Sequence, residues 1–367
     1  MPSVAVQLYS VFFKLILKHR LQSLFNATAA DDFGITSRPE ESIVPAKPSF
    51  SIDGVATKDI HIDPLTSLSV RIFLPDSFNH PLSIPLSSKP DLSRSKNGLS
   101  EAAVGSVSSY QGYLPSPGVG QSGFSRRLPV VLQFHGGAFV SGSNISASND
   151  FFCRRMAKLL DVIVIAVGYR LAPESRYPAA FDDGVKVLHW LAKQANLAEC
   201  SRSLGSGRSG DARRMDMQRH IVAGFGAATL EPWLAAHADP SRCVLLGVSC
   251  GANIADFVAR KAVEAGKLLD PVKVVAQVLM HPFFVGSTPT HSEIKLANSY
   301  FYDKATCTLA WKLFLPEDEF SLDHPAANPL VARSGPPPKS MPPTMTVVAE
   351  LDWMRDRAIA YAGCSAR

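Results

Sequence analysis

The sequence is short of the features that mark several classes of protein. Its six cysteines include no CxxC pair and show no regular spacing, which argues against a zinc site and a disulfide framework. No apolar run reaches the ~20 residues of a membrane-spanning helix, because Lys14 interrupts the N-terminal run. The 37 basic and 32 acidic residues leave a net charge of only +5, and the basic residues are scattered, unlike the clustered stripe of a nucleic-acid-binding protein. We therefore expect no metal, no nucleic-acid partner, no stable membrane span and a reducing compartment, the cytoplasm with the nucleus as a second location.

The first feature that the sequence does contain is an apolar N-terminal stretch. Its apolar side chains recur at helical spacing, at Val4, Leu8, Val11, Phe12 and Leu15, and His19 falls at the end of the same stripe. The positive charges follow this stretch, whereas those of a signal peptide precede it. We interpret residues 1–50 as a helix that docks on its own protein, followed by a linker. A peripheral membrane contact and an uncleaved targeting segment are the alternatives.

The rest of the chain, 51–367, has the pattern of one α/β domain. Residues 51–75 alternate in the manner of a β-hairpin, and 81–127 and 200–218 are rich in Ser, Gly and other polar residues, which predicts two flexible insertions. Between and after the insertions, short apolar runs alternate with helical patterns. This order predicts a doubly wound, mostly parallel sheet, whose functional residues gather at the carboxyl ends of the strands.

The strongest local motif is Gly247-Val248-Ser249-Cys250-Gly251, between an apolar run and a helical pattern. In a G-x-S-x-G turn the serine occupies a strained strand-to-helix turn, and Gly247 and Gly251 let strand and helix approach each other closely. The sequence therefore predicts Ser249 as a nucleophile; an ordinary loop serine is the alternative.

A second motif, His135-Gly136-Gly137-Ala138, follows the apolar run 128–134. Backbone N–H groups of such a turn can hold the oxyanion of an acyl-transfer reaction. We expect Gly136, Gly137 and Ala138 to form this oxyanion hole together with Cys250, the residue after the nucleophile. A tight turn without a chemical role is the alternative. His135 itself is predicted to be structural.

A third segment, Tyr169-Arg170-Leu171-Ala172-Pro173-Glu174, is predicted to be structural and not catalytic. Arg170 and Glu174, with Asp182 and Asp183 further along the chain, could form an ion-pair network below the site.

Together, in this order and spacing, the three motifs resemble the hormone-sensitive-lipase-like branch of the α/β-hydrolases. Within that branch the chain is similar to plant carboxylesterases and their relatives, the gibberellin receptors. The resemblance implies an α/β-hydrolase fold with an N-terminal helical lid, a small-molecule ester as substrate and no cofactor. It also implies that Asp352, in the segment Ala349–Asp356, is the acid of the triad. Ala138 departs from the family, which usually has a third glycine there, but its N–H is kept.

The resemblance places the triad histidine roughly thirty residues after Asp352. Only fifteen residues follow Asp352, and all ten histidines lie at or before His324. We therefore expect a chain that stops before the last strand and helix, with impaired hydrolysis because Ser249 lacks its general base. His281 and His324 are the candidates for a substitute base. The alternative function is non-catalytic binding of a small ligand, as in the gibberellin receptors. The sequence gives no indication of the oligomeric state.

Overall fold

The computed structural model describes residues 3–26, 38, 41–50, 52–76, 112–115, 126–205, 230–297, 302–331 and 340–365. These residues form a seven-stranded sheet in the order β1-β2-β4-β3-β5-β6-β7. The first two strands are an antiparallel hairpin, β2 is antiparallel to β4, and every other neighbouring pair is parallel. The predicted hairpin and mostly parallel sheet are therefore confirmed. The strands are β1 (Val55–His61), β2 (Ser69–Pro75), β3 (Leu128–Phe134), β4 (Ile163–Gly168), β5 (Ala238–Val248), β6 (Val274–Met280) and β7 (Thr344–Val347).

Helices pack on both faces of this sheet, as the alternating pattern predicts. The helix between β3 and β4 covers one face, where its buried Cys153 and Ala157 belong to a small core cluster with Phe73 and Val164. The helix after β5 packs on the opposite face and belongs to the larger core. The helices are α1 (Val4–Asn26), α2 (Ala147–Leu160), α3 (Ala179–Gly205), α4 (Pro232–His237), α5 (Cys250–Ala265), α6 (His291–Lys295), α7 (Lys304–Phe314) and α8 (Arg355–Ser365).

Strand β4 shows why the central strands could be recognised from the sequence. Its residues Ile163 to Val167 are all buried, because helices cover both faces of the sheet at this point. A continuous β-branched run is what a strand buried on both faces requires.

The N-terminal helix α1 forms as predicted, but a different face of it docks. Leu21 and Ser10 are buried, and Leu17 and Leu24 are half-buried against the large core. By contrast, the stripe predicted to dock (Val4, Leu8, Val11, Phe12 and Leu15) has 58–70% of its surface exposed. The prediction chose the wrong face because α1 is apolar on two sides, and spacing alone does not say which side meets the core.

None of the helices that the structure describes combines the length with the apolar character that crossing a bilayer requires.

The two predicted insertions lie mostly outside the described residues. Within the first one, Tyr113 is described, and its N–H donates to the carbonyl of Pro48 at 2.8 Å. Its ring packs against Phe50, and its carbonyl accepts a hydrogen bond from the indole of Trp233. At the second insertion, the first residues from Cys200 onward continue α3.

Candidate active site

Ser249 stands at the tip of the turn that joins β5 to α5. It has a φ of 54° and a ψ of −121°, a conformation that is strained for a residue with a side chain. The turn is sharp enough that a Cβ on Gly247 would lie 2.1 Å from the carbonyl oxygen of Gly251. A Cβ on Gly251 would in turn lie 2.2 Å from the carbonyl oxygen of Phe134, at the end of β3. Both glycines are thus required by close backbone approach, which is the geometry of a nucleophile elbow.

The glycine-rich turn after β3 lies directly against this elbow. A Cβ built on Gly136 would be 3.3 Å from the Cβ of Ser249. Gly137 has a φ of 126°, and Ala138 and Phe139 also have positive φ, of 54° and 65°. Two consecutive non-glycine residues in this region indicate backbone strain held by the surrounding structure. The sequence predicts that the two motifs lie together around one oxyanion hole, and the parallel pairing of β3 with β5 brings them together.

The thiol of Cys250 connects the elbow to the glycine-rich turn. The N–H of Phe139 donates to its Sγ at 3.2 Å, and the Tyr169 hydroxyl lies 3.4 Å from the same sulfur. Burial raises the pKa of the Cys250 thiol, while the Tyr169 hydroxyl and neighbouring N–H groups, including that of Ala138, offset part of the rise. The side chain of Cys250 therefore fixes the turn, while its backbone N–H belongs to the predicted oxyanion hole. The oxyanion roles of Gly136, Gly137, Ala138 and Cys250 stay predictions.

His135 has the environment of a structural residue. Its ring stacks on Tyr169 with centroids 4.2 Å apart, and the Tyr169 hydroxyl donates to the His135 carbonyl at 2.8 Å. Its Nδ1 lies 2.8 Å from the carbonyl oxygen of Gly136, and burial lowers its pKa to about 4. A histidine that is neutral at pH 7 and already bonded to its own turn is positioned to hold the turn.

The segment after β4 is held by two separate ion pairs instead of one network. The guanidinium of Arg170 donates to both carboxylate oxygens of Asp183, at 2.7 Å and 2.9 Å for its two shortest bonds. Glu174 pairs with Arg38 instead, which also donates to the carbonyl of Ala172 at 2.8 Å. The peptide bond before Pro173 is cis. Arg38, which ties the N-terminal segment to this loop, was missed by the sequence reasoning because it carries no motif and lies 136 residues from Glu174.

Asp352 follows β7, at the same carboxyl edge of the sheet as Ser249. Its Oδ1 accepts a hydrogen bond from the N–H of Met354 at 2.9 Å. Burial raises the pKa of Asp352, and the hydrogen bond from the Met354 N–H, with smaller electrostatic contributions from His281 and Arg355, offsets part of the rise. Asp356, four residues on, accepts a hydrogen bond from the N–H of Ser292 and has a structural role.

A cavity of about 910 Å³ brings these residues together. Ser249, Asp352, the glycine-rich turn and His281 all line it, and α1 contributes Val6 to its wall. Much of the remaining wall is apolar, with Phe152, Met280, Phe283, Tyr302 and Trp353 among the lining residues. A concave, mostly apolar site with a few convergent polar groups suits a small organic ligand.

The structure separates the two histidines considered as substitute bases. His281 directly follows β6, has a φ of 48° and donates its N–H to the carbonyl of Val347 at 2.8 Å, and it lies in the cavity wall with Asp352. His324 lies in a loop beside Glu319, with its ring on that of Tyr177, and is not part of the cavity wall. Among the described residues no group of three or more His, Cys, Asp or Glu side chains is placed to hold a metal ion.

The comparisons with known proteins agree with this geometry. A family model described as alpha/beta hydrolase fold matches residues 131–365. The chain belongs to the α/β-hydrolase family. Over 99% of its length and 87% of the relative's, this α/β-hydrolase is 62% identical to probable carboxylesterase 16 of Arabidopsis thaliana. By family it is therefore an esterase-type enzyme.

Two further similarities bear on the fold and on the branch of the family. The α/β-hydrolase is 32% identical to the gibberellin receptor GID1B of Arabidopsis thaliana, over 87% of its own length and 69% of the receptor's. Its fold is similar to that of a hyperthermophilic esterase from Pyrobaculum calidifontis, with a TM-score of 0.52 and 20% identity over 98% of this chain and 79% of that one.

Proposed function

We propose that this α/β-hydrolase cleaves carboxylic esters of small molecules, with Ser249 as the nucleophile. The observation that carries the proposal is the strained φ of Ser249 at the tip of the β5–α5 turn, next to a glycine-rich turn in the wall of the cavity. Such strain is kept where it positions a reacting group.

In the proposed reaction the Oγ of Ser249 attacks the acyl carbon of the ester. The carbonyl oxygen becomes an oxyanion, and the N–H groups of Gly137, Ala138 and Cys250 stabilise it. The C–O bond then breaks, and the alcohol leaves with the proton that came from the serine. Water adds to the acyl-enzyme, releases the acid and restores the serine. In this scheme Asp352 orients the base and stabilises its charged form.

Within this chain His281 is the candidate for that base, because it lies in the cavity wall with Asp352. The resemblance instead places the base about thirty residues after Asp352, whereas only fifteen residues follow Asp352 in the sequence given. The variant His281→Asn tests this candidate. Turnover is lost if His281 is the base, and turnover that persists in the variant rules His281 out. The expected impairment of the chain stays a prediction that the same assay measures.

The second candidate function is binding of a small ligand without hydrolysis. Its support is the similarity to a gibberellin receptor, together with Val6 of α1 in the cavity wall. A binding protein of this kind would retain a small carboxylic acid in the cavity and would not react at Ser249.

The test is reaction with a serine-directed fluorophosphonate, with peptide mapping of the label, alongside hydrolysis of short-chain p-nitrophenyl esters. We expect the label on Ser249, and Ser249→Ala to lose both label and turnover while it keeps its thermal unfolding profile. Ser241→Ala, the same change outside the cavity, should keep both the labelling and the ester turnover of the unmodified protein. Absence of label and turnover in the folded, unmodified protein would contradict ester hydrolysis and favour the binding function.

A further inference from the structure

The outer stripe of α1, which consists of Val4, Leu8, Val11, Phe12 and Leu15, is an apolar surface that the described residues leave uncovered. Each of these side chains has 58–70% of its surface exposed, and Tyr9 beside them has 61%. No described residue packs over them, because α1 docks through Ser10, Leu17, Leu21 and Leu24 on another side. Contiguous exposed apolar side chains of this kind mark an interaction surface.

The charges of α1 indicate what this surface meets. The helix contains Lys14, Lys18, His19 and Arg20, and none of its 23 residues is acidic. Lys14 is half-buried and lies 3.8 Å from Asp303, on the docked side. The other three are exposed and directly follow the outer stripe along the helix. Exposed basic residues beside an exposed apolar stripe attract anionic lipid headgroups, while the apolar side chains can contact the acyl chains.

A second copy of the chain fits this surface less well. Two outer stripes packed in parallel would bring together the basic residues of both helices, and in parallel or antiparallel packing α1 has no acidic residue to pair them. Anionic lipid headgroups, by contrast, supply the negative charge, and the acyl chains accept the apolar side chains.

We propose that the outer stripe of α1 binds to anionic lipid surfaces and holds the protein at the membrane interface. The docked side of α1 reaches the cavity through Val6, so that the same helix contacts the lipid on one side and the cavity on the other. Apolar molecules dissolved in the bilayer would then lie next to the cavity. The proposal stands on the exposure and charge of α1 and does not depend on hydrolysis.

The test is flotation of the protein with vesicles of phosphatidylcholine, with and without phosphatidylserine. We expect flotation with the phosphatidylserine vesicles and weaker flotation with phosphatidylcholine alone. Added salt should weaken the binding, because it screens the charged residues. The double variant Leu8→Ser, Phe12→Ser should bind the anionic vesicles at least about tenfold more weakly, since each side chain adds apolar area to the contact. Lys18→Glu should weaken binding to the anionic vesicles only.

The matched control is the double variant Ile52→Ser, Leu65→Ser, which removes two exposed apolar side chains elsewhere on the surface. It should float like the unmodified protein. Both double variants should keep the thermal unfolding midpoint, because all four side chains are exposed. Three results would overturn the proposal: the unmodified protein stays with the soluble fraction, the α1 variant floats as well as the control, or the stripe instead drives self-association in sedimentation velocity without lipid.

Discussion

Gly247 offers the sharpest test of the elbow, because it occupies the closest backbone approach in the candidate site. In the variant Gly247→Ala the new Cβ would lie 2.1 Å from the Gly251 carbonyl oxygen and 2.4 Å from the N of Ala252. Both atoms belong to the first turn of α5, so no side-chain rotation relieves the clash. Ordinary contact distances of about 3.5 Å then require α5 to move from β5 by on the order of 1 Å.

Overpacking of this kind costs roughly 1–3 kcal/mol and occasionally more, which lowers the unfolding midpoint by about 2–4 °C for each kcal/mol. We expect the upper part of this range, because three backbone atoms are affected. A displacement near 1 Å at the nucleophile should also slow labelling of Ser249 by a fluorophosphonate about 100-fold. Thermal denaturation and labelling kinetics measure the two effects separately.

The matched control is Gly363→Ala in α8, where an added Cβ meets nothing within 4 Å. There the change should leave labelling unaltered and raise stability by up to about 1 kcal/mol, since alanine favours a helix over glycine. If Gly247→Ala behaves like Gly363→Ala in both assays, the close approach and the elbow geometry inferred from it are refuted.

Two further predictions concern stability. Asp183→Asn leaves the Arg170 guanidinium without its buried partner and should cost about 3 kcal/mol or more in chemical denaturation, whereas Asp182→Asn at the exposed neighbouring position should stay within about 0.5 kcal/mol; equal losses would rule out the pair as a structural anchor. Burial lowers the pKa of His135 to about 4 from an ordinary value of 6.5. As the pH falls, His135 is therefore protonated in the unfolded chain before it is protonated in the folded one. The stability it supports is therefore complete above pH 6.5 and is lost as the pH falls toward 4, by about 1.4 kcal/mol per pH unit, and His135→Asn should reduce the pH slope of the unfolding free energy by one proton. An unchanged slope in that variant would show that His135 takes up its proton equally in both states.

The elements that could be predicted from the sequence are those whose local pattern permits one outcome. Strand β4 is such a case, because a run of apolar residues that are β-branched except for Ala166 is typical of a strand covered on both faces. The elbow is another, since the glycines at 247 and 251 and the serine between them describe one backbone geometry. The three motifs lie at the ends of strands that pair in parallel, so the sheet brings all three into contact.

The tertiary structure alone decided the contacts between segments far apart in the chain. The docking side of α1 depended on which of two apolar faces matched the core, and the helix itself holds no information on that choice. Glu174 forms an ion pair with Arg38, which lies 136 residues away in the chain, whereas Asp183 forms one with Arg170. His281 came to share a cavity wall with Asp352 only because β6 and β7 are neighbours. Local periodicity and turn chemistry are properties of a few adjacent residues, whereas partner choice depends on what the whole chain places within reach.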